Sequence, residues 1–146
     1  MISLRSANYE DCTLLFKWAN DSQVRKNAFS PNNIDLESHI KWYENKMNDE
    51  NTRIFIVLKD NVEVGQIRVD ISDNKGFIDY SIDKNYRGQG IGTQILKLIK
   101  LEITKVNLIG YVKKENIASM KAFEKAGYEK IEYGDFIEYI YKSNFN

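Results

Sequence analysis

Ile82-Asp83-Lys84-Asn85-Tyr86-Arg87-Gly88-Gln89-Gly90-Ile91-Gly92-Thr93 is the stretch on which the reading of this chain turns. Before it, Phe77 to Ile82 has the composition of a strand. After it, Gly90 to about Lys105 repeats apolar residues at helical spacing, with Gly92, Ile95, Leu96, Ile99 and Ile103 on one face and Lys97 and Lys100 off it. Glycines at positions 88, 90 and 92 therefore stand between a strand and a helix. Lacking side chains, they let the backbone approach an anion, and the unpaired N–H groups of the helix's first turn, aided by its dipole, form a site for phosphate. Arg87 adds a formal positive charge at the same place. A plain turn whose glycines serve geometry alone is the competing reading. The loop lacks the lysine followed by serine or threonine of an ATP-binding loop, and Gly88-x-Gly90-x-Gly92 is not the spacing of a dinucleotide turn.

Working outward, Ile2 to Arg5 reads as a first strand. Asn8 with Asp11 resembles an N-cap pair opening a helix to about Ala19, with Leu14, Leu15 and Trp18 on its apolar face. After Asp35, Leu36, Ile40, Tyr43 and Met47 fall on one helical stripe, and His39 and Trp42 on the adjoining one. The period then changes. Ile54 to Leu58 and Val62 to Ile71 around Asp60-Asn61 predict a β-hairpin, with Gly65 marking a bulge, and Asp73-Asn74-Lys75-Gly76 predicts a second turn into Phe77 to Ile82. Past the central helix, Leu108 to Val112 is a strand and Ile117 to Ala126 a helix, with Gly127 where a left-handed cap belongs. Tyr128 to Tyr133 and Phe136 to Tyr141 close the chain as strands around Gly134-Asp135.

This order predicts an α+β fold: a central mixed, mostly antiparallel sheet with flanking helices. The strand-helix-strand passage from Ile82 to Leu108 implies a right-handed crossover and a parallel strand pair. No repeat, linker or low-complexity tract interrupts residues 1–146, so one domain is expected.

At 146 residues, folding can bury roughly 70% of the unfolded surface, enough for one core. Lysine plus arginine and aspartate plus glutamate balance at 21 each and are interspersed, which argues against a nucleic-acid partner. Cys12 is the single cysteine, leaving no intrachain disulfide and no thiolate cluster for a metal, and making the cytoplasm the default compartment. Met1 to Asp11 lacks the apolar run of a signal peptide, and no segment approaches the length of a membrane span.

Arg87-x-x-Gly90-x-Gly92 after a strand resembles the acetyl-coenzyme A motif of the GCN5-related N-acetyltransferases (GNAT). Asn116-Ile117-Ala118-Ser119 through Phe123-Glu124-Lys125-Ala126-Gly127-Tyr128 is similar to the family's other signature: an asparagine, a short helix, then glycine and an aromatic residue. The likeness spans essentially the whole chain. Its opening, Leu4-Arg5-x-Ala7-Asn8, Trp18-Ala19-Asn20-Asp21 and Val24-Arg25-x-Asn27, is similar to the branch that acetylates nucleotide-linked amino sugars, and more distantly to the ribosomal-protein N-terminal acetyltransferases.

The resemblance implies acetyl-coenzyme A as co-substrate, no metal, and a small-molecule primary amine as acceptor. It also implies that the strands ending at Ile82 and Val112 splay, with pantetheine in the gap. Amides from Tyr80 to Ile82 would hold the pantetheine arm, and one near Tyr80 would donate to the thioester oxygen. The diphosphate would rest on Gln89, Gly90, Ile91, Gly92 and Thr93, beside Arg87 and Gly88. Asn116 and Ser119 would bond the cofactor arm or merely cap their helix.

Attack requires an unprotonated amine, and the candidate bases are Asp79, otherwise a solvated strand carboxylate, and Tyr111, otherwise a packing residue placed one position before the splay. Many family members protonate the leaving thiolate with a tyrosine where this chain has Phe123. Either another phenol serves, Tyr128 being nearest in sequence, or the thiolate leaves unaided, with a free thiol pKa near ~8.5. Trp18, Asn20, Arg25, Asn27, His39 and Trp42 concentrate aromatic and polar groups where the family builds its acceptor wall: indoles for stacking, asparagines for hydroxyls, Arg25 for phosphate. The alternative is that the tryptophans are core and Arg25 surface, and His39 reads as a packed or surface residue more readily than as a base. A peptide N-terminus lying in a groove along Tyr133 to Tyr141, or a non-catalytic coenzyme A-binding module, are the competing functions. The chain is expected to be a monomer or homodimer.

Overall fold

The computed structural model describes residues 1–143, whose strands form one sheet in the order β1-β2-β3-β4-β5-β7-β6. The strands are β1 (Ile2–Ser6), β2 (Thr52–Lys59), β3 (Val62–Ser72), β4 (Lys75–Ile82), β5 (Asn107–Lys113), β6 (Glu129–Glu132) and β7 (Phe136–Tyr141). The helices are α1 (Cys12–Ala19), α2 (Ser22–Asn27), α3 (Leu36–Met47), α4 (Ile91–Glu102) and α5 (Ile117–Lys125). Every neighbouring pair runs antiparallel except β4 and β5, the parallel pair expected from the crossover through α4.

Two tight turns build the β2-β3-β4 meander. Asp60 and Asn61 lie at φ 49 and 69, and Asp73 and Asn74 at φ 50 and 64, the left-handed pairing whose twist matches a hairpin and which Asp and Asn tolerate best. The second turn is shorter than the sequence indicates. Gly76 belongs to β4 opposite Ile71, and a Cβ there would stand 2.8 Å from Val69 Cγ1, so close packing and not the turn requires glycine. The bulge expected at Gly65 is present as a register shift between Val57 and Leu58.

Alternation along β2 sends Phe55 and Val57 to one face and Ile54 and Ile56 to the other. The first face is covered by α4 through Ile91, Ile95, Leu96 and Ile99, with Phe123 of α5 beside them. The second carries Leu15 and Trp18 of α1 and Tyr43 of α3. Asn8 and Asp11 do form a reciprocal cap, around a 3-10 turn at Tyr9–Asp11 that leads into α1. Arg5 reaches both carboxylate oxygens of the buried Asp11, at 2.8 and 2.9 Å.

Two N-terminal expectations need correction. The Leu36, Ile40, Tyr43 and Met47 stripe is not the buried face of α3: Leu36 and Ile40 are exposed, whereas His39 and Tyr43 are buried. Ring stacking and the Tyr43 hydroxyl, which donates to the Asn8 carbonyl at 2.6 Å, set the rotation of this helix more than aliphatic content does. Helix α2 leaves no signal in the sequence, because it buries no residue and so carries no apolar period; the Asp21 carboxylate starts it by accepting from the Gln23 and Val24 amides.

Strands β4 and β5 pair only at Lys75 with Asn107, Gly76 with Leu108 and Phe77 with Ile109. Beyond Phe77, β4 runs on to Ile82 and β5 to Lys113 without meeting. Tyr111 therefore lies two residues past the last paired position, not before the splay as the sequence indicates.

Candidate active site

The register of β3 and β4 decides which backbone groups face the split. The Asp83 amide donates to the Val64 carbonyl at 2.8 Å while Ile82 sits opposite Gly65. In an antiparallel pair such bonds alternate, so Ile82, Tyr80 and Ile78 turn their own N–H and C=O groups away from β3, toward the space β5 has left. The Ile82 carbonyl accepts from Arg87 and Ile78 borders the last β4-β5 pairing, whereas the Tyr80 N–H and C=O lie beyond that pairing, strand-edge groups of the kind that extended amide-bearing ligands complete.

At the end of β4 the chain makes a 3-10 turn at Lys84–Tyr86, capped by Asp83, and then enters the glycine loop. Gly88 and Gly90 lie at φ 77 and 76, and a Cβ on either would meet nothing within 4 Å. Conformation, not space, makes them glycine. Gly90 is the N-cap of α4 and has no side chain to satisfy the first amides of the helix. Arg87 NH2 donates to Asp21 at 2.7 Å and Arg87 Nε to the Ile82 carbonyl at 3.1 Å, so this cation braces the loop against the start of α2.

A cavity of about 1240 Å³ extends from the glycine loop through the split to α2 and α3. Of the cofactor residues expected from sequence, Ile82, Arg87, Gly88, Gly90, Ile91, Gly92, Thr93, Asn116, Ser119 and Phe123 all line it. The Gln89 side chain does not; it accepts from Lys59 Nζ at 2.7 Å. Asn116 takes the capping role, its Oδ1 accepting from the Ser119 amide at 3.2 Å.

The expected catalytic groups part company. Asp79 lines the cavity, with Gln66 Nε2 donating to its Oδ2 at 3.1 Å and Arg68 NH1 3.7 Å away. Tyr80 also lines it, its ring edge-on to Phe123 and its hydroxyl 2.9 Å from Ser119 Oγ. Burial pushes the Tyr80 phenol up to about 12, the Ser119 hydrogen bond opposing. Tyr111 stacks on Phe77; burial, and the Glu138 carboxylate across the β5-β7 pair, push its phenol up. Tyr128 is ruled out as a donor to sulfur: its hydroxyl is buried and donates to the Leu96 carbonyl at 2.9 Å, away from the cavity, and burial holds its proton on.

The acceptor wall is also redistributed. Asn27, His39 and Trp42 line the cavity. Trp18 does not: it is 3% exposed, and its indole N–H donates to Asp83 at 2.9 Å. Asn20 is likewise structural, clamping both the N–H and the C=O of Ile34. Arg25 lines the cavity but spends NH1 on the Ser30 and Asn32 carbonyls, a loop brace where a phosphate ligand was expected, while its Nε is buried without a partner among the described residues. His39 is 3% exposed, with Nε2 3.0 Å from the Cys12 carbonyl, the packed role favoured from sequence.

Sequence reasoning missed Gln66 and Arg68, which face the cavity from β3. Arg68 lies over the Trp42 ring, 5.0 Å from its centroid, and bonds Asp70 at 2.9 Å. The alternation of Gln66, Arg68 and Asp70 against Ile67, Val69 and Ile71 marks them as one face; only the placement of α3 shows that this face looks on the cavity. The stretch Tyr133 to Tyr141, along which the competing peptide-acceptor reading lays a groove, contributes nothing to the lining.

A sheet split beyond a short parallel pairing, with free strand-edge groups on one side and an unsatisfied helix N-terminus at its end, defines the N-acetyltransferase class of fold. Residues 2–129 match the acetyltransferase (GNAT) domain model, and the chain belongs to that family: it is an acetyltransferase acting on amines. Over 134 residues it is 29% identical to acetyltransferase PseH of Campylobacter jejuni, covering 86% of this chain and 83% of that one. Among solved structures it superposes on a ribosomal α-N-protein acetyltransferase in complex with coenzyme A, with a TM-score of 0.84 and 16% identity over 99% of this chain and 96% of that one. An aminoglycoside acetyltransferase in complex with paromomycin and acetyl-coenzyme A gives a TM-score of 0.81 and 18% identity over 98% and 93%. Spermidine N-acetyltransferase from Vibrio cholerae, in complex with coenzyme A and spermine, gives 0.83 and 14% over 97% and 95%. Identities this low establish a shared fold. Among the described residues no helix is long and apolar enough to cross a membrane.

Proposed function

We propose that this chain transfers the acetyl group of acetyl-coenzyme A directly to the primary amine of an anionic small molecule, a nucleotide-linked amino sugar being the preferred class. The observation that carries this is the charge of the cavity: Arg25, Arg68, Arg87, Lys121 and Lys125 line it against Asp79 and Glu115. At the acceptor end Arg25 and Arg68 line the cavity with one carboxylate, Asp79; Arg68 is also paired with Asp70, which lies outside the lining, and Arg25 braces the loop at Ser30 and Asn32. Such a lining repels polycationic amines and draws anions. The match to PseH and the likeness of the N-terminal stretch to the amino-sugar branch support the same class. The cavity exceeds the several hundred Å³ of an ordinary single-ligand site, leaving room for cofactor arm and acceptor together.

The geometry supports a short mechanism. The diphosphate rests on the first amides of α4, where left-handed Gly88 and Gly90 bring the backbone close. Pantetheine lies along the free edge of β4, and the Tyr80 amide donates to the thioester oxygen as charge builds there. Asp79, held by Gln66 and Arg68, takes the amine proton directly or through water. Tyr111 is the weaker candidate, because its phenol holds its proton at neutral pH. Arg68, over the Trp42 ring, presents a cation beside an aromatic surface to the acceptor.

Release of free thiol from acetyl-coenzyme A across a panel of nucleotide-linked amino sugars, aminoglycosides, polyamines and peptide N-termini tests the reading. Turnover confined to the anionic sugars is expected. Preference for polycations overturns the substrate class, and tight coenzyme A binding without turnover on any amine overturns catalysis.

A further inference from the structure

Phe123 leaves the departing sulfur without the phenol that the family resemblance leads one to expect, and the surroundings close that position. A Cβ added to Gly110 would lie 2.3 Å from Phe123 Cζ, so the tip of this ring abuts the backbone of β5. On its other side the ring stacks on Tyr139 at 5.0 Å, whose own hydroxyl is committed to Glu124 at 2.7 Å. Of the phenols that do line the cavity, Tyr86 stands in the 3-10 turn beyond β4, and Tyr111 sits on the opposite sheet face from α5. Tyr80 is different. Its backbone groups face the split, while its side chain reaches under the split to Ser119 of α5, its hydroxyl 3.5 Å from where a Cβ on Gly92 of α4 would lie.

We propose that the Tyr80 hydroxyl is the hydrogen-bond donor that stabilises the departing coenzyme A sulfur, with Ser119 as the residue that positions it. This rests on the acetyl-transfer reading above. Ser119 is 8% exposed, and its Oγ lies 2.9 Å from the phenol; when its hydroxyl donates to the Tyr80 oxygen, the phenol proton is free to point into the cavity that both residues line, where the proposed mechanism puts the thioester. Being held well above neutrality, the phenol is always loaded with its proton. The amine nitrogen bonds to the acetyl carbon and the carbonyl pair moves to oxygen. On collapse that pair returns and the C–S bond breaks, its electrons going to sulfur. The thiolate accepts the Tyr80 hydrogen bond, the amine proton leaves to Asp79 or its water, and the thiolate takes a proton from solvent on release. Charge-assisted donation of this kind strengthens only as the thiolate forms, so it lowers the barrier more than it tightens binding.

Tyr80→Phe removes the hydroxyl and keeps the backbone amide. Expected are a loss of roughly ten- to hundredfold in kcat with little change in KM, and a rise in the thiol pKa of bound coenzyme A, followed by its ultraviolet thiolate absorbance. Ser119→Ala should raise that thiol pKa in the same direction by less, and it carries the test should Tyr80→Phe fail to fold. An unchanged thiol pKa in the folded variant overturns the proposal, as does a kcat within about twofold of wild type. The titration needs coenzyme A alone, so it reads out even if no amine is acetylated; in that event the acetyl-transfer reading fails separately.

Discussion

Phe123 and Gly110 form a contact with no slack: the para carbon of the ring lies where a Cβ on Gly110 would have to go, at 2.3 Å. The glycine in β5 is thus a packing requirement set by an aromatic residue of α5, and the contact fixes the helix under the split. Gly110→Ala should cost about 1–3 kcal/mol or more, because neither β5 nor the ring stacked on Tyr139 can yield cheaply. A fall in the urea midpoint with unchanged slope checks this, and a neutral result would show that the ring moves freely.

Gly90 poses the opposite case. No atom crowds it, yet its φ of 76 lies in the left-handed region. Gly90→Glu should lose about 1–2 kcal/mol of stability from backbone conformation and weaken coenzyme A binding by at least about tenfold, since it sets a carboxylate at the place proposed for the diphosphate. Calorimetric titration beside a melting curve separates the two effects.

For His39, burial pulls the imidazole below its ordinary value of 6.5, with the Cys12 carbonyl opposing weakly. The unfolded chain then binds a proton below about pH 6.5 that the folded protein refuses. Stability is therefore full above that pH and declines as pH falls through it. Melting temperatures from about pH 7 to about pH 5 should show this slope in the wild type and lose most of it in His39→Gln.

Asp79→Asn keeps the hydrogen-bonding shape and removes the proposed base. A drop of about 10²-fold in kcat/KM at neutral pH, with coenzyme A affinity unchanged, is the expected result. Retention of full activity would return the base to water or to Tyr111.

Arg68→Met preserves apolar cover for Trp42 while deleting the cation. KM for an anionic acceptor should rise about tenfold and lose much of its salt dependence, with kcat little altered. Steady-state kinetics at two ionic strengths decide the matter.

Much of the scaffold is legible in the order of residues alone, because local chemistry dictates it. Asp60-Asn61 and Asp73-Asn74 announce hairpin turns through the residues that tolerate positive φ, and Asn8 with Asp11 announces a cap. The apolar period of α4 identifies its buried face almost residue by residue. Relations across the chain are where local patterns mislead. Trp18 and Asn20 have the chemistry of ligand-reading groups, but Asp83 and Ile34, 65 and 14 positions away, claim their polar atoms. Tyr128 is near the chemistry in sequence only; its hydroxyl donates to the Leu96 carbonyl.

The sequence by itself determined the strand-loop-helix around Gly88, Gly90 and Gly92, the place proposed for an anion, because backbone conformation and helix-end amides are properties of a few consecutive residues. Only the tertiary structure decided which side chains face that place. The pairing of β4 with β5 ends at Phe77 and Ile109, α3 is rotated by its aromatic rings, and Arg68, Tyr80 and Ser119 meet the cavity through contacts that no local pattern encodes. Side-chain partners are chosen by packing between distant segments, and that choice exists only once the chain has folded.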